Sequence, residues 1–558
     1  MRKTLTINTL ILTALFFSFL LGAFVTDRSI EDKITVAIVN QAEKIMGMDF
    51  TDAEADSMLK DLNEQRDSYV ALRKLHIPNN IAPALNFNPV PAGYEFPDKA
   101  NYFKTDEVAA ALPANRDDLA FYSISELASL LKTKKISSVE LTRFFIERLK
   151  KYDPVLLNVV TLTEDRAMKQ AAKADAEIKA GKYRGTLHGI PFGAKDLLAV
   201  KGYKTTWGSV AYRDQEFNVD ATVITRLENA GAILIAKTTL GELAMGDVWF
   251  GGKTKNPWDI TRGSSGSSAG SASAVAAGCL PFAIGSETLG SIVSPSTECG
   301  TTGLRPTFGR VSKYGAMALS WSMDKLGPIT RDVEDCAIVF NAIAGEDNKD
   351  VSVIKAPFNY TSPKKSLKGM RIGYIKSDFE EKGGNHKNDS LSLVKLKELG
   401  AELIPMEIPD LPYGDMTIVL SAEAAAAFDE LTLNNRDDLL VKQDRNAWPN
   451  AFRSARFIPA VEYIQANRAR TLLINEFQKL MKNVDMYIAP SFSQNLRATN
   501  LSGHPCVVLP NGFNKDGRPT SITFTGQLFG EGKLMQVAEV YQQATDFNKK
   551  HPNMNYKF

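Results

Sequence analysis

The 558-residue chain reads as one large α/β domain with N-terminal additions, and three observations predict it. Short apolar runs at Gly189–Phe192, Ala232–Ala236, Met370–Ile375 and Met486–Ala489 are interleaved with helical segments. Unbroken apolar runs of this length between helices are the mark of strands buried on both faces. The composition, 44% hydrophobic and 23% charged, is that of a globular chain, and its length suffices for a substantial core. No solenoid period and no low-complexity tract long enough for a linker divides it.

Residues 1–25 stand apart. Arg2 and Lys3 precede the apolar run Leu10–Val25, the pattern of a secretory signal peptide. Gly22 and Ala23 supply small residues near a cleavage point, although there is no A-x-A site. An uncleaved N-terminal anchor is the alternative, since Leu5–Val25 approaches spanning length. The expectation is an exported protein, periplasmic or extracellular, with membrane association if the segment stays attached.

Residues 26–118 are expected to form a helical leader and an extended wrap. Ser29–Gly47 has helical periodicity, and Thr51 with Glu54 forms a capping box that opens a second helix. The Pro- and Asn-rich stretch Ile77–Pro97 is expected to be irregular and to pack across the main domain. That domain, 119–550, begins with two amphipathic helices, the second starting near Ser137 or Ser138, and Glu164–Ala180 follows as a third.

Charge and cysteine usage narrow the function classes. With 66 basic and 64 acidic residues the chain offers no general field for nucleic acid. Cys279, Cys299, Cys336 and Cys506 have the spacing of neither a disulfide framework nor a zinc site, and read as core thiols. No cluster of metal-ligand residues is evident.

The chemistry concentrates in Thr261–Gly278 (TRGSSGSSAGSASAVAAG) and the following Cys279–Pro295 (CLPFAIGSETLGSIVSP). Small residues let backbones approach closely. A linker would not continue into what reads as a packed helix and a buried strand. A phosphate loop needs a Lys after its glycines, and none is present. Gly266–Gly270 matches G-x-S-x-G with Ser268 at its centre, but a nucleophile elbow sits at the tip of an apolar strand and the preceding KTKNPWDITRGSS is polar. Only His386, His504 and His551 follow it as partners. The third reading uses lysine as the base. Lys195 ends the apolar GIPFGA run, where burial would lower its pKa and free its amine to activate a serine.

Three separated blocks resemble the amidase signature family: GIPFGAKD at Gly189–Asp196; the Ser/Gly segment with GSETLGSIVSP and its continuation Thr301–Ala337; and TNLSGHPCVVLPNGF at Thr499–Phe513. Family-like sequence runs from about Tyr122 to Tyr541. The resemblance implies a large mixed twisted β-sheet covered by helices on both faces. It implies Lys195 as base, Ser291 as nucleophile, and Ser267, 24 residues earlier, as the relay serine after an unusual cis peptide. Backbone N–H groups of Thr288, Leu289, Gly290 and Ser291 would form the oxyanion site. No metal or organic cofactor is implied. The chain departs from the usual pattern at Leu289, where a second glycine is common, at Ala269, where Gly is usual, and at Glu287, where Asp is frequent.

The expected function is hydrolysis of a small-molecule or peptide amide to a carboxylate and ammonia or amine. The alternatives are a glutaminase-type subunit of a tRNA-dependent amidotransferase and a noncatalytic binding protein. Residues 411–470, with Tyr413, Trp448, Phe457 and Tyr463, are expected to contribute to the substrate pocket. The sequence does not distinguish a monomer from a homodimer.

Overall fold

In the computed structural model, which describes residues 33–381 and 385–556, the apolar runs pair into one eleven-stranded mixed sheet. The segment read as signal peptide or anchor lies outside the described residues. We number the strands of this sheet in chain order: β1 (Val159–Leu162), β2 (Pro191–Lys195), β3 (Ile233–Thr238), β4 (Phe282–Glu287), β5 (Thr302–Arg305), β6 (Lys325–Thr330), β7 (Arg371–Ile375), β8 (Glu402–Met406), β9 (Met486–Pro490), β10 (Cys506–Phe513) and β11 (Pro519–Gly526). Their spatial order is β8-β7-β9-β11-β10-β5-β6-β4-β2-β3-β1.

Pairing is parallel at both β7 contacts, between β4 and β2, and between β2 and β3. It is antiparallel through the centre, from β9 to β4, and at β1. Every residue of β2 to β6 is buried, which explains why these strands read as continuous apolar or small-residue runs. Helices flank the sheet on both faces.

Two details fix the site. Parallel β2 and β4 run side by side, with Ala194 opposite Ile284, so Lys195 and the turn after Glu287 emerge at the same edge. Strand β2 begins at Pro191 rather than Gly189, because Gly189 adopts φ +84° in a turn held by its N–H on the Gly231 carbonyl. Lys195 is therefore the last strand residue. On the other side of β2, Phe192 and Gly193 face Leu234 and Ala236, leaving Ile235 of β3 as an extra residue, a β-bulge.

The helix starts follow their caps. Ser137 caps Ser138–Leu156, and its hydroxyl and backbone exchange bonds with Glu140. Ser123 and Glu126 do the same for Ile124–Lys132. The third expected helix spans Glu164–Lys179.

The chain divides into two compact units at Ile77/Pro78. The smaller contains Val36–Met46, closed by left-handed Gly47, and Asp52–Arg73, opened by the Thr51–Glu54 capping box. Asn40 Nδ2 donates to Asp52 Oδ1 at 2.8 Å, and Val39 and Ala55 are buried. Within the larger unit, residues 78–118 run largely extended. Asn79 Nδ2 donates to the Ala318 carbonyl, Phe87 lies 3.7 Å beneath the Arg470 guanidinium, and Tyr102–Lys104 pairs in parallel with Asn359–Thr361. Among the described residues no helix is long and apolar enough to cross a membrane. All four cysteines are buried and free.

Candidate active site

The Ser/Gly segment folds as the sequence suggests, into a short turn and then a helix. Ala269–Ala276 is helical with all eight residues buried, and its small side chains let it lie close to β4. A β-carbon on Gly270 would stand 2.3 Å from the Asn158 carbonyl oxygen, so only glycine fits there. Immediately before this helix the Gly266–Ser267 peptide is cis. Gly266 packs on the main chain of Gly246, where a β-carbon would lie 1.8 Å from the carbonyl oxygen.

Lys195 reaches from the end of β2 into this turn and has no exposed surface. Its Nζ lies 2.8 Å from Ser267 Oγ, 2.8 Å from Ser286 Oγ, 3.1 Å from Ser268 Oγ and 3.4 Å from the Ser286 carbonyl. Burial holds its pKa well below the ordinary lysine value of 10.5, against the smaller opposing pull of Asp324 and Glu287. The adjacent Asp196 does not pair with it. That carboxylate is turned to Lys237, 2.6 Å away, in an ion pair with no exposure on either side, and to the Thr206 N–H at 2.9 Å. The amine of Lys195 is thus surrounded by hydroxyls rather than by carboxylates.

Ser291 follows β4 in the turn Thr288–Ile292, before the helix Val293–Cys299, and is 8% exposed. Its Oγ bonds to no other described residue, Ser267 included, and its carbonyl accepts the Ser268 N–H at 3.2 Å. Gly290 adopts φ +86°, which a side chain would resist, and Leu496 packs against it. Leu289 is half-buried beside it. Among the described residues, the N–H groups of Thr288, Leu289, Gly290 and Ser291 find no acceptor, whereas those of Ile292 and Val293 donate to Glu287. Four consecutive donors without a protein acceptor at a strand end are available to an anion.

The elbow reading of Ser268 fails on geometry. Its hydroxyl donates to the Ser286 carbonyl and accepts from the Ser286 N–H and from Lys195, all at 3.1 Å, and the residue is fully buried. None of the three candidate histidines bonds to it. His504 is buried against Ser502, and burial together with Arg305 pushes its pKa down to about 3. His551 stacks on Phe121, and His386 opens a distant helix.

Of the aromatic residues expected in the pocket, Tyr413 and Tyr463 share one hydrophobic cluster while Trp448 packs in another. Tyr413 is buried with its hydroxyl on the Pro409 carbonyl, Trp448 stacks on Phe452, and Phe457 faces solvent. Tyr463 donates to Glu423 at 2.9 Å. Sequence reasoning missed Ser286, which lies on β4 beside the end of β2. Its signal is the parallel pairing register of those two strands. Among the described residues no group of three His, Cys, Asp or Glu side chains is placed to hold a metal ion.

Fold and site define an amide-hydrolase class of α/β enzyme, and comparison with known proteins agrees. The amidase family model matches residues 140–498. The A subunit of glutamyl-tRNA(Gln) amidotransferase from Thermoanaerobacter pseudethanolicus is 36% identical over 483 residues, 78% of this chain and 98% of the relative. Among solved structures, the peptide amidase of Stenotrophomonas maltophilia superposes with TM-score 0.71 at 29% identity, over 79% of this chain and 100% of that one. The corresponding amidotransferase protein of Thermotoga maritima gives TM-score 0.65 at 25% identity, over 78% and 98%. The chain belongs to the amidase family and is an enzyme acting on linear amide C–N bonds.

Proposed function

We propose that the protein hydrolyses a carboxylic amide through an acyl-enzyme on Ser291, with Lys195 as base and Ser267 as proton relay. The observation that carries this reading is the fully buried Lys195 amine 2.8 Å from Ser267, at the edge where the Ser291 turn presents its unspent N–H groups. As Ser291 Oγ bonds to the amide carbon, its proton passes to Ser267, whose own proton passes to neutral Lys195. The carbonyl π pair moves onto oxygen, and the Thr288–Ser291 N–H groups receive that charge. When the C–N bond breaks, the proton returns through Ser267 to the departing nitrogen. Water then attacks the acyl-enzyme by the same route, releasing the carboxylate and restoring Ser291.

Two settings suit this chemistry. The curated relatives favour a glutaminase-type subunit of a tRNA-dependent amidotransferase, because glutamyl-tRNA(Gln) amidotransferase proteins match the chain at 35–36% identity over nearly their whole length. A free-standing hydrolase of small-molecule or peptide amides is supported by the likeness to peptide amidase and by the N-terminal segment, which we take to direct export or to anchor the chain. A panel of amides separates them: glutamine, short aliphatic amides, aryl amides and peptide amides, scored by ammonia or amine release from the isolated full-length chain. Turnover of non-glutamine amides without a partner favours the free hydrolase. Glutamine turnover that appears only with copurifying subunits favours the amidotransferase setting. Labelling of wild type but not S291A by a fluorophosphonate tests the nucleophile in either case. Cell fractionation with N-terminal sequencing tests export and cleavage.

A further inference from the structure

Glu287 ends β4 and is fully buried, and one of its two carboxylate oxygens is committed to the turn that follows. Oε2 accepts the N–H groups of Ile292 at 2.8 Å and Val293 at 2.9 Å. Oε1 accepts from Arg305 Nη1 and from Asn500 Nδ2, both at 2.8 Å. Arg305 is itself buried, and its other arm is held on the His504 carbonyl at 3.0 Å. Burial alone would raise the carboxyl pKa. The Arg305 charge and the N–H donors prevail and hold it down to about 2, so the carboxylate stays ionised at any working pH.

The two N–H groups that Glu287 takes are those just after Ser291, and the four that remain unspent are those from Thr288 to Ser291. A side chain that spans from residue 287 to the main chain of 292 and 293 closes the turn into a ring. The left-handed Gly290 lies within that ring. Arg305 has a second task. A lone carboxylate near a developing oxyanion would repel it, and the 2.8 Å ion pair removes that opposition.

We propose that Glu287 is a positioning residue for transition-state stabilisation: by clamping the N–H groups of Ile292 and Val293, with Arg305 neutralising it, it sets the oxyanion-binding arc of Thr288–Ser291. The proposal rests on the reading of Ser291 as nucleophile. It separates Glu287 from a mere brace, because a positioning residue affects the tetrahedral state more than ground-state binding.

The test compares wild type, E287Q and E287D on the best-hydrolysed amide of the panel, on the matching aldehyde and on the matching alcohol. The aldehyde adds to Ser291 and places an oxygen in the arc; the alcohol binds without doing so. For E287Q, kcat/KM should fall at least about 30-fold and the aldehyde should weaken by the same factor, with alcohol affinity within about threefold. E287D keeps the charge but is one methylene shorter, and should lose part of the same amount in both readouts. It carries the test if E287Q does not fold. Equal weakening of aldehyde and alcohol, or kcat/KM within about threefold of wild type, would overturn the proposal. If wild type hydrolyses no amide and Ser291 is not labelled, the function reading fails instead. An active wild type that S291A silences and E287Q leaves intact refutes the role of Glu287 alone.

Discussion

Replacing Lys195 by Met should abolish turnover and, at the same time, change how stability depends on pH. Lys195 is buried with its pKa depressed below 10.5, so in the folded protein it is neutral over a range where the unfolded chain carries the charge. Folding in that range expels one proton. Stability therefore rises with pH by about 1.4 kcal/mol per unit from the depressed folded value up to 10.5, and is lost as pH falls through the same window. Lys195→Met removes this contribution but leaves those of Lys237, Lys313 and Lys325 in place, so they cancel in the comparison. The hydroxyls of Ser267, Ser268 and Ser286 lose a partner, which costs about 1–3 kcal/mol independently of pH. The offset between the two proteins thus mixes several effects, but its pH slope reports one proton only. Urea unfolding of wild type and K195M in steps from pH 7 to 9.5 measures it. The wild-type curve should climb relative to the variant, with a slope that approaches about 1.4 kcal/mol per pH unit once the pH lies above the depressed folded value. Parallel curves would mean that Lys195 is charged in the folded protein, and the base assignment would fall with them.

Other expectations can be checked on the same material. S291A should lose turnover by about 10⁴-fold or more with its unfolding midpoint little changed, as measured by steady-state rates and urea titration. kcat/KM should fall on the acid side as neutral Lys195 gains a proton, and a rate constant down to the onset of acid unfolding would count against a lysine base. Lys237→Met should destabilise the protein by about 3–5 kcal/mol, because it strands the buried Asp196 carboxylate, and D196N/K237M should recover most of that loss in chemical denaturation.

Much of this architecture is legible in the sequence, and the limits are physical. Capping boxes at Thr51 and Ser137 depend on contacts three residues apart, so local sequence suffices to find them. Apolar runs mark β3, β7 and β9 to within about two residues. The start of β2 is harder to place, because Gly189 looks permissive for a strand while its left-handed conformation is set by a contact with Gly231. Lys195 and Ser267 are 72 residues apart yet meet, and the Ser/Gly pattern betrays the close packing that allows it. The partners of Glu287 are not readable in the same way. Asn500 is 213 residues away, and the carboxylate and guanidinium are joined by sheet topology rather than by any motif. The aromatic residues of 411–470 show the converse, since size and polarity alone do not say whether a ring faces a pocket, a neighbour or solvent.

The bulge at Ile235 has a consequence for how this enzyme can change. Strand β2 is held in parallel between two neighbours, in unbroken step with β4 but one residue out of step with β3. Side chains alternate along a strand, so losing or gaining one residue within Pro191–Lys195 would turn the lysine to the opposite side of the sheet, out of reach of Ser267. The irregularity against β3 is already used and leaves no slack to absorb a second shift. Substitutions in β2 are constrained by packing as well, since a β-carbon on Gly193 would stand 2.5 Å from the Leu280 side chain, but a single-codon insertion or deletion there would undo the register outright. Variation in length among working descendants of this chain should therefore fall in the loops that flank the strand, which is where libraries that vary length should be directed.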